Sequence, residues 1–173
     1  MAYFSASRAS RIRNYELFGA VGLEYDSNVP LETQDKNVEA VVGQKADGRV
    51  TFNAGGRYSP ILNETSTFTL AYDFFQSLHY DLHEFDLQNH RAGAQVAGRV
   101  GDFRMGFLGR YDYYLLDFGD FLQEVTGYPY GAYVFPGGQT EVFFRFRYRD
   151  FRDADFQIRD AYNFSPGIRQ VIE

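Results

Sequence analysis

The chain has no cysteine, which excludes a disulfide framework, a thiolate nucleophile and any cysteine-ligated zinc or iron–sulfur site. It has no tryptophan and only three histidines. No stretch approaches the roughly 20 apolar residues of a membrane-spanning helix, an absence that leaves spanning by β-strands untouched. Basic residues are too few for a broad cationic surface: 17 Lys and Arg stand against 23 Asp and Glu, a net charge of -6, so nucleic acid is not an expected partner. Residues 1–14, MAYFSASRASRIRN, lack the apolar central run of a secretory signal. They read as a leader or linker segment ahead of one domain at 15–173, since 173 residues suit one domain and not two.

What is abundant is aromatic side chains, 18 Phe and 14 Tyr, together with 17 Gly. Yet the mean hydropathy is only -0.39. A chain rich in rings but polar on average must keep the two kinds of residue apart, and transmembrane barrels do this by alternating apolar outward positions with polar inward ones.

Period-two alternation, the signature of a half-buried strand, recurs along the chain. Around 15–26, Leu17, Gly19, Val21, Leu23 and Tyr25 oppose Glu16, Phe18, Ala20, Gly22 and Glu24. A second window sets Val50, Phe52, Ala54, Gly56 and Tyr58 against Arg49, Thr51, Asn53, Gly55 and Arg57. A third sets Phe68, Leu70, Tyr72 and Phe74 against Thr67, Thr69, Ala71 and Asp73. The fifth runs from Phe103 through Met105, Phe107, Gly109, Tyr111 and Tyr113 to Leu115, opposite Arg104, Arg110 and Asp112. The seventh places Val142, Phe144, Phe146 and Tyr148 against Glu141, Phe143, Arg145, Arg147 and Arg149. No apolar-face position in these five windows is charged, in a chain in which 23% of residues are.

Three further windows are less regular. In the fourth, Phe85 and Leu87 are out of phase with Ala92, Ala94 and Val96, which predicts a bulge near 88–91. The sixth, about 121–135, is apolar on both faces and contains Pro129, awkward in a central strand. The eighth covers about 161–172. Short connections at 59–65, 100–102 and 136–139 alternate with longer ones at 27–46, 77–83 and 152–160, with 116–120 as the exception. Short turns on one rim and long loops on the other are the habit of membrane barrels, and put both ends of this chain on the periplasmic side.

The expected fold is therefore all-β, an antiparallel up-and-down transmembrane β-barrel with about eight strands present, in the bacterial outer membrane. The expected lipid-facing set is Leu17, Val21, Leu23, Val50, Phe52, Phe68, Leu70, Phe103, Phe107, Phe144 and Phe146. The expected lumen-facing charged set is Glu16, Glu24, Arg49, Arg57, Asp73, Arg104, Arg110, Asp112, Glu141, Arg145, Arg147 and Arg149. Tyr25, Tyr58, Tyr111, Tyr113 and Tyr148 suit an interfacial girdle. On this reading Arg110→Ala is tolerated or alters ion selectivity. The last residues, Gln170, Val171, Ile172 and Glu173, lack a terminal aromatic, so the sheet is expected to be part of a larger barrel, incomplete at the C-terminus.

Three stretches carry a family resemblance: GAVGLEYDSNV at 19–29, FFRFRYRDF at 143–151 and RDAYNFSPGIRQ at 159–170. In these the chain resembles the barrel of the surface lipoprotein assembly modifier family. The resemblance implies an amino-terminal tetratricopeptide domain and a carboxy-terminal barrel of about 14 strands, of which this chain is roughly the first half. It also implies a cofactor-free, Gram-negative outer-membrane role in protein secretion, with lipoproteins or other proteins as the translocated partner.

Other chemistries were weighed against this one. His79, His83 and His90 with Asp81, Glu84 and Asp86 have residue types that bind divalent metal, but polar loops collect such residues anyway, and no metal or cofactor is expected. Ser77 two residues before His79 raises a membrane-embedded hydrolase; without a nucleophile elbow the expectation is a non-enzyme. In FRFRYRDFR at 144–152 rings and guanidinium groups fall on opposite faces of a strand, which argues against base stacking. Gly137-Gly138 is a turn, since no helix with Lys and Ser or Thr follows. The alternative to a porin-like conduit is a soluble β-barrel or sandwich that binds a ligand or partner through an aromatic interior.

Overall fold

The computed structural model describes residues 14–26, 46–152 and 156–172. The expected leader segment, apart from Asn14, lies outside these residues, as do most of the connection 27–46, residues 153–155 and Glu173.

The eight strands are β1 (Tyr15–Asp26), β2 (Asp47–Leu62), β3 (Ser66–His79), β4 (Leu87–Val100), β5 (Phe103–Leu116), β6 (Gly119–Phe135), β7 (Gly138–Phe151) and β8 (Ala161–Ile172). They form one antiparallel sheet in the order of the chain, each strand beside the next, as the alternation predicted. Among the described residues β1 pairs only with β2 and β8 only with β7, so the sheet is open. Two 3-10 turns, His83–Phe85 and Gln157–Arg159, sit in the connections after β3 and β7. Strands of 12 to 17 residues exceed the usual strand of about 5 to 6. A strand of 14 residues runs about 46 Å, enough to cross a bilayer core when tilted.

Connections alternate as expected. Residues 63–65, Gly101-Asp102 and Pro136-Gly137 turn the chain tightly at one rim, while the longer connections lie at the other. The exception joins β5 to β6 through Asp117 (φ 48°) and Phe118 (φ 58°) alone. Both residues are left-handed, the geometry of a two-residue hairpin turn that favours Asn or Gly.

Two expectations about the strands need correction. No bulge interrupts β4, which pairs continuously with β3 from Leu87 to Gly98 and with β5 from Leu87 to Val100. Phe85 was out of phase because it belongs to the preceding 3-10 turn, and Leu87 lies on the charged face at the rim, where an apolar side chain breaks the apparent pattern. Register shifts occur instead between Tyr58 and Ile61 of β2, around Pro60, and between Tyr114 and Leu115 of β5, opposite Phe121. Pro129 does stand in the middle of β6. It pairs with Phe107 of β5, but the β6–β7 ladder skips from Gly127 to Tyr130, as the missing N–H requires.

Solvent exposure is inverted relative to a water-soluble fold. Among the described residues the buried apolar ones are Leu82, Ala132 and Phe151, whereas the buried polar ones include Thr51, Ser77, Asn89, Asp112, Glu124, Thr126 and Glu141. Leu17 is 79%, Phe52 40% and Phe107 47% exposed. The core that shields side chains from water is thus the polar face of the sheet.

Candidate functional site

The register brings the predicted charged residues onto one face, where the pairing turns sequence spacing into ion pairs. Glu24 lies directly opposite Arg49 and Glu16 opposite Arg57. Arg49 donates to Glu24 from Nη2 at 2.5 Å and Nε at 2.8 Å, and Arg57 reaches Glu16 at 3.3 Å. Both pairs are exposed and near the β1 edge. Exposed pairs contribute about 0 to 1 kcal/mol each.

The centre of the face is different. Asp112 of β5 is fully buried and accepts hydrogen bonds from Arg91 Nε at 2.6 Å and Arg110 Nε at 2.7 Å, one on each carboxylate oxygen. Directly across the β5–β6 ladder stands a second buried carboxylate, Glu124. Arg110 bridges the two like charges by donating from Nη2 to Glu124 at 3.3 Å. Thr126 also donates to Glu124, and Arg147 of β7 lies 3.9 Å away. The chain Arg91, Asp112, Arg110, Glu124, Arg147 therefore crosses four strands. A third buried carboxylate, Glu141, receives Arg169 Nη2 at 2.8 and 2.9 Å and the Tyr128 hydroxyl at 3.2 Å.

Of the predicted charged set, Glu16, Glu24, Arg49, Arg57, Arg110, Asp112, Glu141 and Arg147 join these contacts. Asp73 lines a cavity of about 230 Å³ with Arg57, Arg91 and Arg110. Arg104, Arg145 and Arg149 share the face by register. Sequence reading missed Arg91, Glu124 and Arg169. Arg91 was hidden by the misplaced bulge, Glu124 by a window that looked apolar on both faces, and Arg169 by the irregular eighth window. Cross-strand charge matching was the signal available: each falls opposite, or diagonal to, an opposite charge once the hairpin registers are set.

The predicted apolar set occupies the other face. Val21 pairs with Phe52 and Leu23 with Val50, and Phe107 of β5 pairs with Val96 on one side and Pro129 on the other. Phe144 and Phe146 pack against Phe164 of β8 at ring separations of 5.9 and 5.3 Å, and Tyr148 stacks on Tyr162 at 4.6 Å. Tyr25, Tyr58, Tyr111, Tyr113 and Tyr148 all lie on this face.

At the long-loop rim, Asp86 accepts the His79 backbone N–H at 2.6 Å, faces His79 Nδ1 at 3.3 Å and lies 3.5 Å from His83. Asp47 accepts the N–H groups of Asp81 and Leu82, at 3.1 and 2.9 Å, fixing the β3–β4 connection. His90 is elsewhere, on the apolar face, with Nδ1 2.7 Å from the Tyr72 hydroxyl. The three histidines are thus divided among the charged face (His79), the apolar face (His90) and the 3-10 turn (His83), and among the described residues no three potential metal ligands converge. Ser77 and His79 share the charged face of β3, but no hydrogen bond joins them and Ser77 is 2% exposed.

Compared with known families and proteins, the chain matches no family model, no curated protein and no solved structure.

Proposed function

We propose that this chain is part of the wall of a bacterial outer-membrane β-barrel that acts as a conduit or transport component. One observation carries the reading: rings and aliphatic side chains lie exposed on one face while carboxylates and guanidinium groups bury one another on the opposite face. In water such a sheet would leave its apolar surface uncovered. Facing lipid, that surface is satisfied, and the charged face borders a polar interior.

A bilayer also demands that the edges of β1 and β8 be paired, because unpaired amides have no water to bond there. Closure of these eight strands on themselves would give the narrow, side-chain-filled interior of a small barrel. The charged face already carries Phe18, Phe75, Tyr114, Tyr128, Tyr130 and Phe143 among its arginines. Such bulk fits a wider barrel completed by further strands. The resemblance to the surface lipoprotein assembly modifier barrel supports this size and extends the role to surface delivery of lipoproteins or other proteins, without enzymatic chemistry.

The test is the solvent the fold requires. The chain is expected to acquire strand circular dichroism and run as a discrete species only in detergent or liposomes. A folded, monomeric chain in plain buffer overturns the reading and favours a soluble ligand-binding sheet.

A further inference from the structure

Counting cations against carboxylates across the charged face reveals an imbalance at one side. On β1 to β6 the buried or bridging cations each meet a carboxylate: Arg49 with Glu24, Arg57 with Glu16, Arg91 and Arg110 with Asp112. On β7, Arg145, Arg147 and Arg149 stand on this face in alternate positions, which spaces them about 7 Å apart along the strand. Their β8 partners are Ser165, Asn163 and Ala161, so that strand offers them no negative charge. On the β6 side Glu124 stands opposite Arg149 but accepts its hydrogen bond from Arg110. It lies 3.9 Å from Arg147 Nε, a loose ion pair with no hydrogen bond. Nε of Arg147 and of Arg149 is shielded from solvent with no hydrogen-bond partner, and among the described residues Arg145 has no ion-pair partner.

A partly desolvated guanidinium short of hydrogen-bond acceptors is costly unless an anion completes it. The neighbouring polar groups are arranged to help. Ser165 donates its hydroxyl to Asn163 Oδ1 at 2.9 Å, which fixes the amide and leaves its NH2 group to donate beside Arg147. Every cation on the eight strands is arginine, whose planar fork matches the two oxygens of a carboxylate or phosphate.

We infer that Arg145, Arg147 and Arg149, with Asn163, form an anion-binding row that takes multiply charged oxyanions, phosphate or carboxylate, and passes them along β7. The inference names a ligand for the proposed conduit and rests on that reading only in placing the row beside a channel. Binding itself does not depend on it.

The experiment is calorimetric titration of the detergent-folded full chain with inorganic pyrophosphate, repeated with citrate to separate phosphate from carboxylate preference. The R145Q/R149Q variant is expected to bind at least about tenfold more weakly, whereas Arg57→Gln, at the far side of the sheet, stays within roughly twofold. Asn163→Asp keeps all three arginines and sets a carboxylate beside them. It should weaken binding by about tenfold as well, and so supplies the test if the double variant fails to fold. No heat with either anion, or wild-type affinity in both R145Q/R149Q and Asn163→Asp, overturns the row while leaving the membrane reading intact. A chain that folds in plain buffer and still binds through the row overturns the membrane reading alone.

Discussion

Arg91 Nε lies 2.6 Å from Asp112 Oδ1 across the β4–β5 ladder, and Asp112 has no exposure to solvent. Removing Arg91 leaves the shielded Asp112 carboxylate with Arg110 as its one remaining ion-pair partner among the described residues. Asp112→Ala removes the ion-pair partner of Arg91 and leaves Arg110 with Glu124 alone. It is expected to destabilise the folded chain by roughly 3 kcal/mol, read as a lower urea midpoint in liposomes, against less than about 1 kcal/mol for Glu16→Ala in its exposed pair. Equal losses would show that the central network is no more buried than the edge. By the same contacts Arg110→Ala, which sequence alone presents as tolerated, is expected to be costly, since Arg110 is what separates Asp112 from Glu124.

The two faces should respond oppositely to one substitution. Phe107→Arg puts a cation on the apolar face and is expected to cost about 2 to 4 kcal/mol of folding free energy in a bilayer. Gln95→Arg, exposed on the charged face opposite Leu108, should change stability by less than about 0.5 kcal/mol. Folding yield in liposomes measures both, and a tolerated Phe107→Arg refutes the lipid-facing assignment.

Tyr130 lies flat over Gly106: a Cβ there would come within 2.6 Å of the ring. Gly106→Ala is therefore expected to cost about 1 to 3 kcal/mol by displacing that ring, and much less once Tyr130 is Ser. A double-mutant cycle in urea should give a coupling of about 1 kcal/mol. Strict additivity would mean that the ring moves away freely.

Phe118 holds a left-handed backbone (φ 58°) in the β5–β6 turn, with its side chain exposed. Phe118→Gly removes the Cβ clash of about 1 to 2 kcal/mol at the cost of a more flexible unfolded chain. A net rise of about 0.5 kcal/mol or more in unfolding free energy is expected. A fall would show that the Phe118 ring contributes packing.

Much of the architecture is legible from spacing alone, because a period of two is fixed by the pleat and survives without knowledge of neighbours. The faces of β1, β2, β3, β5 and β7 are those the sequence implies, with Phe52 and Phe107 on one side and Arg57 and Arg110 on the other. What failed depended on tertiary register. Leu87 looks like a core residue until β3 and β4 are paired and it is seen at the rim of the charged face. Glu124 becomes a network member only through Arg110, which is 14 residues earlier and on another strand. Pro129 is awkward in a central strand, yet a gap at Tyr128 and Pro129 in the β6–β7 ladder accommodates it.

The strand count has a consequence of its own. Because eight strands are described, the chain direction at the β1 edge opposes that at the β8 edge. A seam that keeps every neighbour antiparallel admits only an even complement of added strands. An odd one would force a parallel join, with its slanted bonds.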